Sequence, residues 1–420
     1  MKKELDFDVI IIGAGVAGLI AALKCEKAGY RTLVLESDSS IGGRVQSDIV
    51  NGFILDHGFQ VIIDSYEKAS EYLDFEELNL RPFASGARIF DDKGNYNVVD
   101  PRRQPSKALS TALSRIGKLS DKLKILGLAR ELQSKSLKDL FDGGPETTED
   151  FLHRRGFSVQ MIENFFRPFF GGIFLERELR TDAAMFRFVF RNFANGSACI
   201  PARGMGAIPK QLENKLQSTQ IKTNTRVERV DQTPSVALSN GEVLACRKLI
   251  LACPPGNVLP QMDQNLNWNR TTTMYFEAPD TAMKMNKLIG LDARKNSSIN
   301  NFARHDEVNP DSAPDCKSLW SVTLRNGADR ENVERDLSNM IKSKDLSLLK
   351  TFEIDHALPV VERPKLTVPP EQTQLTEHIH IAGDFLTNAS LDGAMRAGEA
   401  AALAVSETLE VRDKPGKAVK

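Results

Sequence analysis

The chain has 420 residues, which is enough for two or more globular units. Its formal net charge is -1, from 55 Lys and Arg against 56 Asp and Glu, so the composition predicts no nucleic-acid partner. The five cysteines include no CxxC pair and no metal-ligand spacing, which predicts reduced thiols and no metal site.

The amino-terminal residues predict a strand, a helix and a second strand. Residues 8–12 are rich in Val and Ile, as in a buried parallel strand, and the glycine-rich run 13–18 follows directly. A helix then extends to a C-cap at Gly29, and residues 32–35 form the second strand, which ends at Glu36. This βαβ unit is typical of dinucleotide-binding domains.

The glycines and the acidic residue have distinct roles in such a unit. One glycine turns the chain, one lets backbone amides approach a pyrophosphate, and one allows close helix–strand packing. The helix amino terminus favours the phosphates, and Glu36 is placed to hydrogen-bond the adenosine ribose. A glycine-rich turn without a ligand is the alternative. The residues expected at the cofactor are Gly13, Ala14, Gly15, Ala17, Gly18 and Glu36.

Two segments beyond Glu36 indicate which dinucleotide binds. The sequence Gly-Gly-Arg ends at Arg44, and Asp56-His57-Gly58-Phe59-Gln60 follows a short distance later. Here the chain closely resembles the flavin amine oxidase and phytoene (carotenoid) desaturase superfamily of FAD-dependent oxidoreductases. The resemblance implies that these segments wrap the FAD pyrophosphate and reach the flavin. The residues implied are Gly42, Gly43, Arg44, Gly58, Phe59 and Gln60, with His57 as the one catalytic candidate and a structural histidine as its alternative.

Later segments carry the same resemblance. Residues 200–209 match it, strands are expected at 225–230 and 249–252, and the resemblance implies that Val227 presents its backbone to adenine. Near the carboxyl end, residues 379–384 read as a strand and a loop, and residues 391–401 open the last helix. The resemblance places Gly383 and Asp384 at the ribityl chain and Gly393, Ala394 and Met395 under the flavin pyrimidine edge.

Because its motifs lie at both ends and in the middle, the resemblance covers nearly the whole chain. It implies an α/β fold in which a Rossmann-like FAD-binding domain of glutathione-reductase type is interleaved with an α+β substrate-binding domain. The FAD-binding domain is expected from residues 1–80, 196–256 and 356–420. Residues 81–195 and 257–355 are expected to form the substrate-binding domain.

Nine phenylalanines lie between Phe165 and Phe193, and Phe186, Phe190 and Phe193 share a helical face. Such a stripe is more often core than pocket, but as a lining it would suit a large apolar substrate.

Residues 105–140 read as helical, with leucines and an isoleucine along one side and lysines around the rest. A solvated helix covering the core is the default. The alternative is a basic amphipathic helix lying on an anionic bilayer. Without a secretory leader or a run of about 18 apolar residues, we expect a cytoplasmic protein, with peripheral membrane contact left open.

The reaction implied by the resemblance is transfer of a hydride from an apolar small-molecule substrate to flavin N5. The electron acceptor, oxygen or a quinone, is left open by the sequence. Many amine oxidases have a tyrosine where this chain has Ser390, so desaturase-like oxidation of an isoprenoid or carotenoid ranks first. Flavin amine oxidation ranks second, and a redox-neutral FAD-dependent isomerase is the alternative of another class.

Overall fold

The computed structural model describes residues 5, 7–231, 234–259, 266–325, 327–328 and 331–409. The strands are β1 (Val9–Ile12), β2 (Thr32–Leu35), β3 (Ser47–Val50), β4 (Phe53–Asp56), β5 (Ile62–Ile63), β6 (Leu80–Pro82), β7 (Gly86–Asp91), β8 (Gly94–Val99), β9 (Ala198–Pro201), β10 (Gln220–Lys222), β11 (Val227–Val230), β12 (Ser235–Leu238), β13 (Val243–Ala245), β14 (Lys248–Leu251), β15 (Trp268–Pro279), β16 (Ile289–Asp292), β17 (Ile299–Arg304), β18 (Lys317–Leu324), β19 (Ser347–Pro359) and β20 (Ile379–Ile381). The helices are α1 (Val16–Lys27), α2 (Glu67–Tyr72), α3 (Phe75–Leu78), α4 (Ala108–Leu113), α5 (Leu119–Ser134), α6 (Thr148–Arg154), α7 (Val159–Met161), α8 (Arg167–Phe174), α9 (Ala183–Asn195), α10 (Ala207–Asn214), α11 (His305–Val308), α12 (Glu331–Ile341) and α13 (Leu391–Thr408).

A five-stranded parallel sheet in the order β10-β2-β1-β14-β20 forms the core on which α1 and α13 pack. Its central strands are fully buried, because α1 and α13 cover one face and the antiparallel strands β11, β12 and β13 cover the other. The predicted strands at 8–12 and 32–35 are confirmed, and Val9 and Thr32 are register partners. The βαβ unit that the sequence predicts around the glycine-rich run is therefore present.

Helices α1 and α13 pack against each other through small residues. A methyl group at Gly398 would collide with the carbonyl oxygen of Ala17, so only glycine permits this separation. A methyl group at Gly18 would collide with the carbonyl oxygen of Gly13 and lie 3.1 Å from the Ala252 side chain. Gly18 is therefore the glycine of the run that allows close helix–strand packing, and Gly398 allows the close approach of α1 and α13.

Two smaller sheets lie beside this core. Strand β11 pairs with β12, which pairs with β13, in an antiparallel sheet, whereas the residues 249–251 join the parallel sheet through β14. Strand β9 lies between β5 and β6. The two strands predicted at 225–230 and 249–252 therefore exist, but in different sheets.

The second large sheet has seven strands in the order β19-β15-β18-β17-β16-β7-β8. One face carries Trp320, Val322 and Phe302 and packs on Leu337 of α12. The other face carries Tyr275 and packs on the β3–β4 hairpin and the central cavity. This sheet uses strands from residues 86–99 and 268–359, and the domain boundaries drawn from the sequence stay a prediction.

A layer of aromatic side chains fills the space between the helices. Phe166, Phe170 and Phe186 are fully buried and contact one another, with ring centroids 4.6–6.2 Å apart. Residues Ile162–Phe166 form a π-helical segment that joins α7 to α8. Part of the phenylalanine stripe is therefore core, as the default interpretation expected.

The region 105–140 differs from its prediction. It is two helices, α4 and α5, with a break between them, and only Ile116 of its expected apolar side is buried. Leu109, Leu113 and Leu123 are 71%, 77% and 61% exposed. Helix α5 covers the core, as the default expected, but through Leu128, Ala129 and Leu132. The leucines of the predicted apolar side point away from the core, so that part of the prediction is wrong. Along the described ranges, no helix has both the length and the apolar character needed to cross a bilayer.

Candidate functional site

A cavity of about 1150 Å³ runs between the two large sheets. One end is bounded by the glycine-rich turn and Glu36, and the other by α5, α8 and α9. It collects residues that are far apart in sequence, from Gly13 to Ala394. Its shape joins the dinucleotide-binding end to an apolar end in one continuous space.

The glycine-rich turn leaves its backbone open toward the cavity. Gly13 has φ +104°, a conformation that favours glycine, and it turns the chain from β1 into α1. A methyl group at Gly15 would meet no atom closer than 4.0 Å, so a ligand can approach the backbone here. The amino terminus of α1 begins at Val16, directly after this open position, and its free N–H groups favour an anion.

Glu36 closes this end of the cavity. It is buried, and its Oε2 accepts a hydrogen bond from the backbone N–H of Ala14 at 2.8 Å. Its Oε1 accepts one from the N–H of Asp38 at 3.0 Å. The carboxylate is therefore oriented by two backbone amides, and it reaches the cavity at the end of β2 as the ribose role requires.

The Gly-Gly-Arg segment brings a cation to the middle of the cavity. Gly42 and Gly43 have φ +113° and +59°, and a methyl group at Gly43 would lie 3.4 Å from the Cα of Gly15. Arg44 forms two hydrogen bonds to Asp384, Nη1 to Oδ2 at 3.0 Å and Nη2 to Oδ1 at 2.6 Å. Two sequence-predicted residues from opposite ends of the chain thus form one ion pair.

Asp56 is buried behind the cavity wall. It accepts hydrogen bonds from the Ser47 hydroxyl at 2.5 Å and from the N–H of Met205 at 2.8 Å. Burial raises the pKa of Asp56 to about 6, despite these bonds and the nearby His57. The carboxylate therefore fastens the 200–209 segment to the β3–β4 hairpin, and this is the structural use of that segment.

His57 lines the cavity, but its ring nitrogen is engaged elsewhere. Nε2 lies 3.0 Å from Oδ1 of Asp48, and the ring packs on Phe352 at 4.8 Å between centroids. Burial opposes ionisation of Asp48, but hydrogen bonds from Lys350 and His57 hold the pKa of Asp48 below its ordinary value. The geometry favours the structural alternative for His57, and a catalytic role for it stays a prediction.

The amino terminus of α13 forms another part of the wall. The Ser390 hydroxyl accepts a hydrogen bond from the N–H of Gly393 at 2.9 Å and caps the helix. Ser390, Leu391 and Ala394 line the cavity, whereas Met395 is fully buried in the apolar core. The partial positive charge of this helix end is directed at the cavity.

The structure brings most of the sequence-predicted cofactor residues to this one space. Those that line it are Gly13, Gly15, Ala17, Glu36, Gly42, Gly43, Arg44, Gly58, Phe59, Gln60, Val227, Gly383, Asp384 and Ala394. In the part of the chain that is described, Ala14, Gly18, Gly393 and Met395 lie behind this lining. Their roles in contact with the cofactor stay predictions.

The apolar end is formed by the phenylalanine stripe and α5. The phenylalanines that line it are Phe165, Phe169, Phe170, Phe190 and Phe193. Leu119, Leu123 and Leu126 complete this end from α5. The stripe therefore serves both as core and as lining.

Sequence reasoning missed several wall residues. Trp268 lies under the guanidinium of Arg44, with 5.3 Å from its Cζ to the ring centroid, and it lines the cavity. Tyr66 lines the cavity and stacks on Phe188 at 5.7 Å. Thr323 and Asn301 line it from the second sheet. No motif marks these residues, because their position depends on strand pairing between distant segments.

The observed features fit FAD. The open backbone at Gly15 leaves room for a pyrophosphate at the amino terminus of α1. Glu36 follows the neighbouring strand β2, where its carboxylate can hydrogen-bond a ribose. The cavity continues past Asp384 to the amino terminus of α13, so an elongated dinucleotide can lie along it. Groups of His, Cys, Asp and Glu that could hold a metal ion are absent from the described residues.

Comparisons with known proteins agree with this geometry. Residues 16–406 match the family model described as flavin containing amine oxidoreductase. Protoporphyrinogen oxidase 2 of Arabidopsis thaliana is 28% identical over 166 residues, which are 39% of this chain and 32% of that relative, so the match spans about a third of its length.

Solved structures extend the similarity in fold over almost the whole chain. An oxidoreductase from Methanosarcina mazei superposes with a TM-score of 0.71 at 17% identity, over 93% of this chain and 99% of that one. Cyclohexylamine oxidase from Brevibacterium oxydans gives 0.67 at 16% identity, over 96% and 99%. The family match over most of its length shows that this chain belongs to the flavin-containing amine oxidoreductases, a family of FAD-dependent oxidoreductases.

Proposed function

We propose that this oxidoreductase desaturates an apolar small molecule of the isoprenoid or carotenoid kind. The observation that carries the proposal is the aromatic wall of Phe165, Phe169, Phe190 and Phe193 at the far end of the cavity. Burial of a hydrocarbon chain against such a wall is favourable, at about 25 cal/mol per Å² of apolar surface. FAD bound along the other end supplies a hydride acceptor at N5.

The residues of the chain then orient the reactants and exclude water. Gly13, Gly15 and Glu36 line the cavity where they would hold the adenosine end of FAD, and Arg44 with Asp384 would hold its middle. The amino terminus of α13 would favour negative charge on a flavin bound beside it, because its free N–H groups carry a partial positive charge. The aromatic wall keeps water from the substrate, which protects the hydride-transfer step from side reactions.

Amine oxidation is the second candidate, because the fold is shared with cyclohexylamine oxidase. Ser390 argues against amine oxidation, because it occupies the position at which many amine oxidases have a tyrosine. Its hydroxyl caps α13, and this position therefore offers no aromatic ring to the cavity. Two carboxylates that line the cavity beyond its glycine-rich end are already paired, Asp384 with Arg44 and Asp100 with Arg102, which leaves a cationic amine few partners there. Desaturation therefore ranks first.

The test is anaerobic reduction of the purified, FAD-loaded protein. Phytoene in detergent micelles, cyclohexylamine and putrescine are added separately, and loss of flavin absorbance is followed with mass spectrometry of the products. Bleaching by phytoene, with a product that has two hydrogens fewer than phytoene, supports the proposal. Bleaching by the amines alone contradicts it in favour of amine oxidation, and a product of unchanged oxidation level favours the isomerase.

The electron acceptor is proposed to be oxygen or a quinone. The reduced protein is mixed with air-saturated buffer or with a soluble quinone, and the return of flavin absorbance is timed. Reoxidation by either supports the proposal. Failure with both contradicts it and indicates a protein acceptor.

We also propose that this cytoplasmic enzyme contacts membranes peripherally through α4 and α5. Leu109, Leu113, Leu119 and Leu123 are each at least 60% exposed, and two of them also line the apolar end of the cavity. Exposed Lys107 and Lys118 lie beside these leucines. Leucines for the acyl region and lysines for anionic headgroups are the features of an interfacial helix.

Sedimentation with phosphatidylserine vesicles tests this surface. The wild-type protein is expected to pellet with the vesicles, and Leu113→Ser combined with Leu119→Ser is expected to reduce the bound fraction at least about threefold. Val243→Ser is the matched control, because Val243 is 55% exposed on β13. Equal pelleting of all three proteins, or no pelleting of the wild type, contradicts the proposal.

A further inference from the structure

A row of three polar side chains crosses the second sheet at the cavity. The register pairs Thr273 of β15 with Thr323 of β18, and Thr323 with Asn301 of β17. Residues directly opposite each other in neighbouring strands project from the same face. Phe352 and Leu291 flank the row on the adjoining strands, so it is a polar strip in an apolar surface.

The three side chains are buried and unsatisfied. Thr273, Thr323 and Asn301 are 0%, 5% and 3% exposed. The hydroxyl of each threonine and the Oδ1 of Asn301 have no hydrogen-bond partner within the described structure. A buried polar group without a hydrogen-bond partner destabilises the folded state by about 1–3 kcal/mol. Three such groups in one row therefore destabilise the protein considerably when no ligand is bound.

The neighbouring polar residue on the same face shows the contrast. Ser321 is two residues before Thr323 on β18, and its hydroxyl lies 2.8 Å from Nε2 of buried His305. That hydroxyl is satisfied by the protein itself. A polar side chain on this face can thus find a partner within the protein, and the row of Thr273, Thr323 and Asn301 differs in having none within the described structure.

The row faces the space where a substrate would lie. Thr323 and Asn301 line the cavity, and a methyl group at Gly58 across from them would lie 3.9 Å from the Thr273 hydroxyl. Gly58 belongs to the segment expected to reach the flavin. The unsatisfied groups therefore lie between the cofactor end and the aromatic wall.

We infer that Thr273, Thr323 and Asn301 bind a hydroxyl group on the substrate, so that a hydroxylated apolar molecule binds more tightly than the matching hydrocarbon. A hydroxyl both donates and accepts, so it can donate to Asn301 Oδ1 and accept from a threonine hydroxyl. This assignment rests on the proposed oxidation of an apolar molecule in this cavity. By binding the hydroxyl, the polar row would determine which end of the substrate lies at the flavin.

The first experiment measures thermal unfolding of the FAD-loaded protein without substrate. Thr323→Val removes an unsatisfied hydroxyl at nearly constant volume, and we expect the midpoint to rise by about 2 °C. Thr351→Val is the matched control, because Thr351 pairs with Met274 and so lies on the opposite face of the sheet. A midpoint that falls in Thr323→Val shows that the hydroxyl is a structural group and overturns the inference.

The second experiment measures binding of n-dodecanol and n-dodecane through the visible spectrum of the bound flavin. The wild type is expected to prefer the alcohol by about fivefold, and Thr323→Val and the Thr273→Val/Thr323→Val double variant are expected to lose that preference while binding n-dodecane unchanged. Equal binding by the wild type, or a preference retained in the double variant, overturns the inference alone. No binding of either compound contradicts the proposed function and this inference with it.

Discussion

Arg44 and Asp384, which are 340 positions apart in the chain, form a bidentate ion pair at the centre of the cavity. The same guanidinium donates to the carbonyl of Ala357 and lies over the ring of Trp268. One side chain therefore links the Gly-Gly-Arg segment, the two long strands β15 and β19, and the loop after β20.

Arg44→Ala is expected to lower the free energy of unfolding by about 2 kcal/mol, because it leaves the buried Asp384 carboxylate without its cation. The value lies below that of fully buried pairs, since 39% of the Arg44 side chain is exposed. Chemical denaturation of the apoprotein measures it. Arg229→Ala is the control, because its ion pair with Asp231 is at the surface and is worth about 0.5 kcal/mol or less. Equal losses in both variants would refute the structural importance of the central pair.

Glu36→Ala is expected to weaken FAD binding severalfold through the loss of ribose hydrogen bonds and of the carboxylate that Ala14 and Asp38 orient. Titration of the apoprotein with FAD, followed by flavin fluorescence, measures the dissociation constant. Glu228→Ala on β11 is the control, because Glu228 is exposed. An unchanged dissociation constant in Glu36→Ala would count against the ribose assignment.

Asp56 is expected to make stability depend on pH. Burial raises its folded-state pKa from 3.8 to about 6, so the native state opposes its ionisation. The stability that this group contributes is complete below about pH 4 and is lost as the pH rises through about 6. The wild type should therefore lose up to about 3 kcal/mol relative to Asp56→Asn between about pH 4 and pH 7.

Urea denaturation of both proteins across that pH range measures the difference. Asp142→Asn serves as the control, because Asp142 is exposed and its substitution should leave the pH profile parallel to that of the wild type. A constant difference between the wild type and Asp56→Asn would show that burial does not perturb this carboxyl.

Two helical glycines are expected to respond oppositely to alanine. Gly18→Ala should lower the free energy of unfolding by about 2 kcal/mol, because the methyl group would collide with the Gly13 carbonyl oxygen. Gly127→Ala in α5 should raise it by about 0.7 kcal/mol, since nothing lies within 4 Å of that methyl position. Thermal or urea denaturation measures both. The same sign in both variants would refute the packing argument.

The end of the cavity at the glycine-rich turn was predictable from the sequence alone. The βαβ unit, its glycine-rich turn and Glu36 lie within one short stretch, so their geometry follows from local strand and helix signals. The segments around Arg44, Asp56 and Asp384 were recognisable because each keeps its order and spacing within a few residues.

The apolar end of the cavity was not predictable in this way, because it depends on contacts between distant segments. Whether Leu109 and Leu113 face the core or the solvent depends on what lies opposite α4, and periodicity alone is the same in both cases. The row of Thr273, Thr323 and Asn301 exists because three strands from distant segments pair in one register. Strand register is set by long-range packing, so no local sequence pattern predicts that these three side chains lie side by side.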